Sequence, residues 1–137
     1  MRILGLDPGS VRVGVALSDD LQMIAQPLDY LAAAPFGELA ERIGELVSER
    51  DVESIIVGMP RNMDGSYGPA AEKSRAFITK LKESVTIPIR EWDERLTSAQ
   101  ANRILIAGNV SRKKRKEKVD KMAAAILLQS FLDSQSL

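Results

Sequence analysis

The chain opens with MRILGLDPGSVRVGVALS, residues 1–18, in which two apolar runs flank a short polar turn. Residues 2–6 and 11–18 are rich in Val, Ile and Leu and predict two strands, joined by Asp7-Pro8-Gly9-Ser10. Aspartate is depleted in strands and is almost never fully buried without a partner. Asp7 therefore has two interpretations at this stage: it caps a tight turn, or the fold holds its charge there to bind something else.

The rest of the chain predicts a third strand and then alternating helices and strands. Residues 22–30 predict a third strand, in which Pro27 favours an edge position or a β-bulge because it has no N–H to donate to a ladder. Apolar spacing, Pro and Gly positions and a Thr97–Gln100 capping box predict the later elements. These are a helix over 35–51, a strand over 53–59, a helix over 68–84, a strand over 85–92 and helices over 97–108 and 119–132. The order predicts an α/β fold with a mixed five-stranded sheet, three strands antiparallel and then two parallel, and helices on both faces.

The composition limits the chemistry that this chain can perform. Its 137 residues are 45% hydrophobic and 28% charged, which is typical of a globular protein, and we assign residues 1–137 to one domain. The absence of cysteine and histidine excludes disulfides, thiolate zinc sites and Ser-His or Cys-His catalysis. There is no long apolar stretch and no signal peptide, so we expect a cytoplasmic protein that does not enter a membrane.

Three acidic positions lie where a functional site could form. Asp7 ends the first strand, Asp93 and Glu94 end the last strand, and Asp120 precedes Ala124 by one helical turn. Ligand sites in mixed α/β sheets gather at the carboxyl ends of strands. Carboxylates that converge there repel one another, and a bound divalent cation usually compensates their charge. Mg²⁺ suits this role because it prefers oxygen ligands. Two such ions can hold the attacking and leaving oxygens of a phosphodiester.

Each acid also has a structural interpretation. Asp7 could form an Asx turn, and Asp120 could be an ordinary acid in the first turn of a helix. Asp93 or Glu94 could pair with Arg95 or stabilise a helix N-terminus through the helix dipole. Their joint placement, at two strand ends and on an inward helix face, favours a shared site.

Four stretches of the chain closely resemble the YqgF/RuvX family of Holliday junction resolvases: GLDPGSVRVGVALSD, VGMPRNMDGSYGP, WDERLTSAQA and VDKMAAAILLQSFL. The resemblance runs in order over almost the whole chain. It implies an RNase H-like fold with the first strand central, a carboxylate site for Mg²⁺ or Mn²⁺, and phosphodiester hydrolysis. Members of this family are linked to the cleavage of structured DNA and to maturation of the 5′ end of 16S ribosomal RNA.

The resemblance also implies roles for individual acids. Asp7 corresponds to the metal ligand of the first strand, and Asp120 corresponds to the acid of the final helix. In the DER motif Glu94 is the preferred ligand and Asp93 is the alternate. The predicted catalytic and metal-binding residues are therefore Asp7, Glu94 and Asp120. The family often has Thr-Thr after DER-Leu, where this chain has Thr97-Ser98.

Basic residues near these acids suit a nucleic-acid substrate. The run SRKKRKEK, residues 111–118, is by itself most simply a solvated, mobile loop, but beside an acidic metal site it could draw in a phosphate backbone. The predicted substrate-binding residues are Arg12, Arg61, Arg112, Lys113, Lys114, Arg115 and Lys116. Gly58, Gly65 and Gly68 could present backbone N–H groups to a phosphate or form a plain loop. Trp92 could stack on a base, although its place near a strand end favours the core.

The function favoured at this stage is a metal-dependent nuclease acting on structured nucleic acid, either precursor ribosomal RNA or branched DNA, with pre-ribosomal particles as a further partner. An alternative is a non-catalytic nucleic-acid-binding or ribosome-assembly factor with structural acids. An actin-like ATP-binding protein also opens with Asp-x-Gly on a hairpin, but it needs a second domain and a second phosphate motif. The sequence leaves the oligomeric state and the choice between RNA and DNA open, because it has no base-reading motif.

Overall fold

A computed structural model describes residues 1–60, 66–93 and 112–135 of the chain, with side chains from residue 122 onward in the last range. The strands are β1 (Arg2–Pro8), β2 (Arg12–Ser18), β3 (Ala25–Ala32), β4 (Val52–Met59) and β5 (Ile89–Asp93). The helices are α1 (Phe36–Glu49), α2 (Pro69–Lys82) and α3 (Arg112–Gln135). In these ranges no helix is long and apolar enough to cross a membrane.

The five strands form one mixed sheet in the order β3-β2-β1-β4-β5. β1 pairs antiparallel with β2, and β2 pairs antiparallel with β3, which confirms the predicted meander. β4 runs parallel to β1, and β5 runs parallel to β4. The first strand is therefore central, as the resemblance implies, and its apolar run is buried on both faces.

The helices divide between the two faces of the sheet. On one face, which we call the α1/α2 face, Leu4 and Leu6 of β1 pack with apolar residues of α1 and α2. On the other, the α3 face, Ile3 of β1 and Ile56 of β4 pack against α3, from Ala124 to Leu132. Successive residues of a regular strand point to opposite faces, so these two cores also show which way their strand neighbours point.

The β2–β3 hairpin is organised by Asp19. Its Oδ1 accepts hydrogen bonds from the backbone N–H groups of Met23 (2.8 Å) and Ile24 (2.9 Å). Gln22 has a positive φ of 56° in this turn. Because these residues close the turn, β3 begins at residue 25, and the predicted start at residue 22 is wrong. Pro27 does lie on an edge strand, as predicted.

One side chain of α3, that of Gln129, makes two hydrogen bonds to the hairpin. Gln129 accepts a hydrogen bond from the Ala25 N–H through its Oε1, and its Nε2 donates to the Met23 carbonyl, both at 2.9 Å. The same amide also donates to Asp133 one turn later. This contact fixes the C-terminal half of α3 against the amino-terminal end of β3.

β5 and α3 also start at residues that differ from the prediction. β5 begins at residue 89 rather than 85, because Pro88 has no N–H to donate and enters the ladder only through its carbonyl, which accepts from Ile55 at 2.9 Å. α3 begins at Arg112 rather than 119, so the predicted loop over 112–118 is wrong. Lys, Arg and Glu are good helix formers, and this preference outweighs their mutual repulsion. The predicted helix over 97–108 lies outside the described residues.

Candidate active site on the α3 face

Asp7 lies on the α3 face, near the carboxyl end of the central strand. The β1–β2 ladder continues through Pro8, with Asp7 opposite Gly14, so the backbone of Asp7 belongs to the strand. Asp7 is half-buried. A Cβ placed on Gly14 would stand 3.4 Å from the Asp7 Cβ and 3.4 Å from the Ala124 Cβ of α3. The Asp7 side chain therefore starts beside helix α3, with no neighbouring side chain on Gly14.

Two glycines allow α3 to approach the sheet closely at this point. A Cβ on Gly5 would stand 3.0 Å from the Leu128 Cβ and 3.4 Å from the Ala124 carbonyl oxygen. The helix thus runs from Leu128 beside Gly5 to Ala124 beside Asp7 and Gly14. Asp120 is one further turn along the helix in the same direction. The Asp120 side chain lies outside the described part, but its position in the helix continues this line past Asp7.

Asp93, the alternate acid of the DER motif, lies on the opposite face of the sheet. It is the register partner of Met59, which is buried in the core of the α1/α2 face. Its neighbour Trp92 points to the α3 face, where its ring packs edge-on against the ring of Phe131, with 5.2 Å between the ring centroids. The Trp92 indole Nε1 also donates to the Ser130 Oγ at 3.3 Å. Trp92 is thus a core residue, as the sequence favoured.

The position of Asp93 bears on the choice within the DER motif. Strand alternation places Asp93 on the face opposite to Asp7. By the same alternation, the residue after Asp93 in a continued strand would be the one on the α3 face, and that residue is Glu94. Glu94 itself lies outside the described residues. The structure brings Asp7 and the helix that carries Asp120 together, and it separates both from Asp93.

Of the predicted basic contacts, Arg12 can be placed with its side chain. It is exposed at the start of β2, two residues before Gly14, and therefore on the α3 face as well. Its guanidinium carbon lies 4.2 Å from the centroid of the Tyr30 ring on β3. Arg61 lies outside the described residues, and Arg112, Lys113, Lys114, Arg115 and Lys116 are placed by their helical backbone alone.

The glycine-rich connection is only partly the loop that the sequence suggested. Gly58 is buried inside β4, where it pairs with Trp92, so it does not belong to a phosphate-binding loop. Gly68 lies just before α2, and its carbonyl accepts from the Ala71 N–H at 3.0 Å. Gly65 lies outside the described residues.

Two features of the structure were not predicted from the sequence. Tyr30 stacks with Arg12, and nothing in the local pattern of β3 signalled this contact. A cavity of about 480 Å³ opens between Pro8 and Pro60 on the α1/α2 face, with Lys73 and Ser74 of α2 in its wall. Within the residues described with side chains, no cluster of three or more His, Cys, Asp or Glu could hold a metal ion.

The fold has counterparts among solved Holliday junction resolvases. RuvC of T. thermophilus, in complex with a Holliday junction substrate, matches 99% of this chain and 96% of its own with a TM-score of 0.59 and 15% identity. The fowlpox virus Holliday junction resolvase matches 98% of this chain and 99% of its own with a TM-score of 0.54 and 14% identity. At these identities the likeness shows the fold alone, an RNase H-like α/β fold that this chain shares with these proteins.

Sequence similarity narrows the class further. The family described as "RuvX: Holliday junction resolvase" matches residues 1–134, and the chain belongs to this family. A relative from Halothermothrix orenii is 52% identical over 136 residues, covering 99% of this chain and 97% of the relative. A relative from Pelotomaculum thermopropionicum is 50% identical over 136 residues, covering 98% of this chain and 88% of the relative. Both relatives carry the name "Putative pre-16S rRNA nuclease". The resemblance is confirmed, and the chain is classed with nucleases, which are hydrolases acting on phosphodiester bonds.

Proposed function

We propose that residues 1–137 form a single metal-dependent nuclease domain that cleaves structured nucleic acid in the cytoplasm. The observation that carries the proposal is the position of Asp7. Asp7 is a half-buried carboxylate on the central strand, and it lies beside the helix that carries Asp120. The favoured substrate is the 5′ end of pre-16S rRNA, in line with the names of the relatives, and branched DNA is the second.

The chemistry of the donor groups fits a divalent cation. Asp7, Glu94 and Asp120 would supply carboxylate oxygens, which suit Mg²⁺ or Mn²⁺, and the chain has no histidine or cysteine to favour a softer metal. When bound, such a cation supplies an activated water and charge stabilisation for the leaving oxygen. The part of Asp7 is to hold a negative charge at a fixed place, because the ladder to Gly14 prevents its backbone from moving.

The basic residues would bring the substrate to this place. Arg112 lies twelve residues before Ala124 in a continuous helix, a distance of about 18 Å along the helix axis. The run 112–118 therefore extends the site along α3 rather than forming a loose loop. Phosphate contacts from this helix, from Arg12 and from Arg61 would supply affinity that depends on salt and not on base sequence. Pre-ribosomal particles would provide such a substrate together with its protein context.

A cleavage assay on both substrates tests the proposal. The wild type and Asp7→Asn are incubated with a pre-16S RNA fragment or a four-way DNA junction, with Mg²⁺, Mn²⁺ or EDTA. We expect cleavage by the wild type with metal, none with EDTA, and none by Asp7→Asn. The matched control is Asp20→Asn, because Asp20 is an exposed acid that pairs with the N-terminus of the chain. Metal-independent binding without any cleavage would instead support the non-catalytic alternative.

A further inference from the structure

The edge strand β3 contains an irregularity that faces the candidate site. Val13 pairs with Leu31 and Val15 pairs with Leu28, so two residues of β3, Asp29 and Tyr30, lie opposite the single residue between them, Gly14. This is the arrangement of a β-bulge, which re-aims a side chain and is common beside active sites. Gly14 is also the register partner of Asp7 on its other side.

Tyr30 therefore stands in the same row as Asp7, two strands away. Adjacent strands are about 4.8 Å apart, which gives a backbone separation of about 10 Å between the two residues. Leu31 packs against the core of the α1/α2 face, so its neighbour Tyr30 points to the α3 face, where its ring meets Arg12. Gly14 places no side chain between Tyr30 and Asp7.

We propose that Tyr30 is a positioning residue for substrate binding: its ring holds the Arg12 guanidinium on the α3 face, where Arg12 contacts a phosphate of the strand that is cleaved at Asp7. The proposal rests on the proposed nuclease function. A guanidinium that stacks on an aromatic face keeps its N–H donors, which lie in the plane of the group, available for phosphate oxygens. A free arginine would lose rotamer entropy each time it made the same contact.

The ring of Tyr30 contributes little to the two apolar cores of the described structure. Tyr30 is half-buried, and among the described residues it belongs to neither of the two apolar cores, whereas its neighbours Leu28 and Leu31 pack against one of them. An exposed arginine on a solvated strand end needs no aromatic partner for folding. The contact thus fits a role in holding Arg12 better than a role in packing.

Binding measurements on variants of Tyr30 and Arg12 test this proposal. The probes are the labelled pre-16S RNA fragment and the four-way DNA junction, measured in an Asp7→Asn background so that the substrate stays intact. Tyr30→Leu removes the ring, and Tyr30→Phe keeps it. We expect Tyr30→Leu to raise Kd about two- to five-fold, in line with an exposed cation–π contact, and Tyr30→Phe to restore wild-type affinity.

A double-mutant cycle separates positioning from packing. We expect Arg12→Ala to weaken binding more than Tyr30→Leu does, and Tyr30→Leu to add nothing once Arg12→Ala is present. In the active protein, Tyr30→Leu should raise KM more than it lowers kcat. Arg75→Ala is the matched control, because Arg75 also stacks on a tyrosine, Tyr67, at 4.4 Å, but lies on α2. Its Kd should equal that of the wild type.

The outcomes distinguish this role from the proposed function. If the parent protein binds neither probe, the proposed function and the role of Tyr30 both fail. If it binds and Tyr30→Leu binds equally well, or if the effects of Tyr30→Leu and Arg12→Ala simply add, only the role of Tyr30 is overturned. If Tyr30→Leu lowers the melting temperature, Tyr30→Met replaces it, and loss of affinity by folded Tyr30→Met supports the proposal.

Discussion

Gly14 lies opposite Asp7 across the β1–β2 ladder, and the position where its Cβ would stand is equally far from Asp7 and from Ala124 of α3. One missing side chain thus leaves a central carboxylate next to a helix. Gly5, two residues before Asp7 on β1, allows the same helix to approach even more closely. Glycine is here required by the approach of α3 and not by backbone torsion.

The first prediction concerns these glycines and is a test of packing. Gly5→Ala would put a Cβ 3.0 Å from the Leu128 Cβ, so α3 must shift, and we expect a loss of about 1–2 kcal/mol in the free energy of unfolding. Gly44→Ala is the matched control, because nothing lies within 4 Å of a Cβ there and the residue is inside α1. It should stabilise by about 0.5–1 kcal/mol. Urea unfolding of both variants measures the difference, and equal stability would contradict the close approach of α3.

The second prediction separates the two acids of the DER motif. Asp93 shares the face of Met59, so Asp93→Asn should keep at least about half of the metal-dependent cleavage. Glu94→Gln removes a predicted ligand charge with little change in shape and should lower kcat at least about 100-fold. Initial rates at several Mn²⁺ concentrations measure both. The reverse order of effects would show that Asp93 is the ligand.

The third prediction concerns the basic half of α3. Replacing Lys113, Lys114, Arg115 and Lys116 by Gln removes phosphate contacts but keeps good helix formers, so helicity should stay as in the wild type. The slope of log K against log salt should flatten by up to about 0.9 per lost contact on duplex DNA, for every sequence tested. Cleavage at saturating substrate should survive. A salt titration of binding measures the slopes. The control is a variant in which Lys73, Lys80 and Lys82 of α2 are replaced by Gln. Identical slopes for the wild type and the 113–116 variant would show that the run is an ordinary solvated face.

The fourth prediction is a pH dependence of stability that comes from Asp19. Hydrogen bonds from the backbone N–H groups of Ile24 and Met23 hold the pKa of this carboxyl below its ordinary value of 3.8. The folded pKa is the lower one, so the stabilisation is fully present above the ordinary pKa and is lost as pH falls through the folded pKa. Asp19→Ala should therefore destabilise the protein at pH 6 and make progressively less difference below about pH 4. Thermal unfolding of wild type and variant across this range gives the comparison, and a pH-independent difference would contradict it.

The sheet could be predicted from the sequence because its strands are short apolar runs between turn residues. The antiparallel meander, the central position of β1 and the edge position of Pro27 all followed from that pattern and from the resemblance. The start of β3 could not be predicted, because it depends on where one carboxylate, that of Asp19, places its hydrogen bonds. The start of α3 was missed because a run of like charges looks like a loop when helix propensity is not weighed against repulsion.

The candidate site could be predicted only in part. Asp7 was identified from its residue type and its place after an apolar run, and alternation of the strand carries it to the α3 face. Which acid of the DER motif shares that face depends on the register of β5 against β4, and a sequence does not specify register to one residue. The contact between Arg12 and Tyr30 depends on a bulge that shifts pairing by one residue, so no local pattern could show it.

The two hydrogen bonds of Gln129 have a consequence at the opposite end of α3. An α-helix is stiff along its axis, and Asp120 lies nine residues from Gln129, about 13.5 Å along the helix. Because Gln129 is tied to Ala25 and Met23, the helix cannot slide lengthwise over the glycine-lined part of the sheet without breaking both bonds. The β2–β3 hairpin thus fixes the position of α3 along the helix axis. The axial position of the Asp120 backbone relative to the central strand is thus set by an amide at the amino-terminal edge of the sheet, far from Asp7.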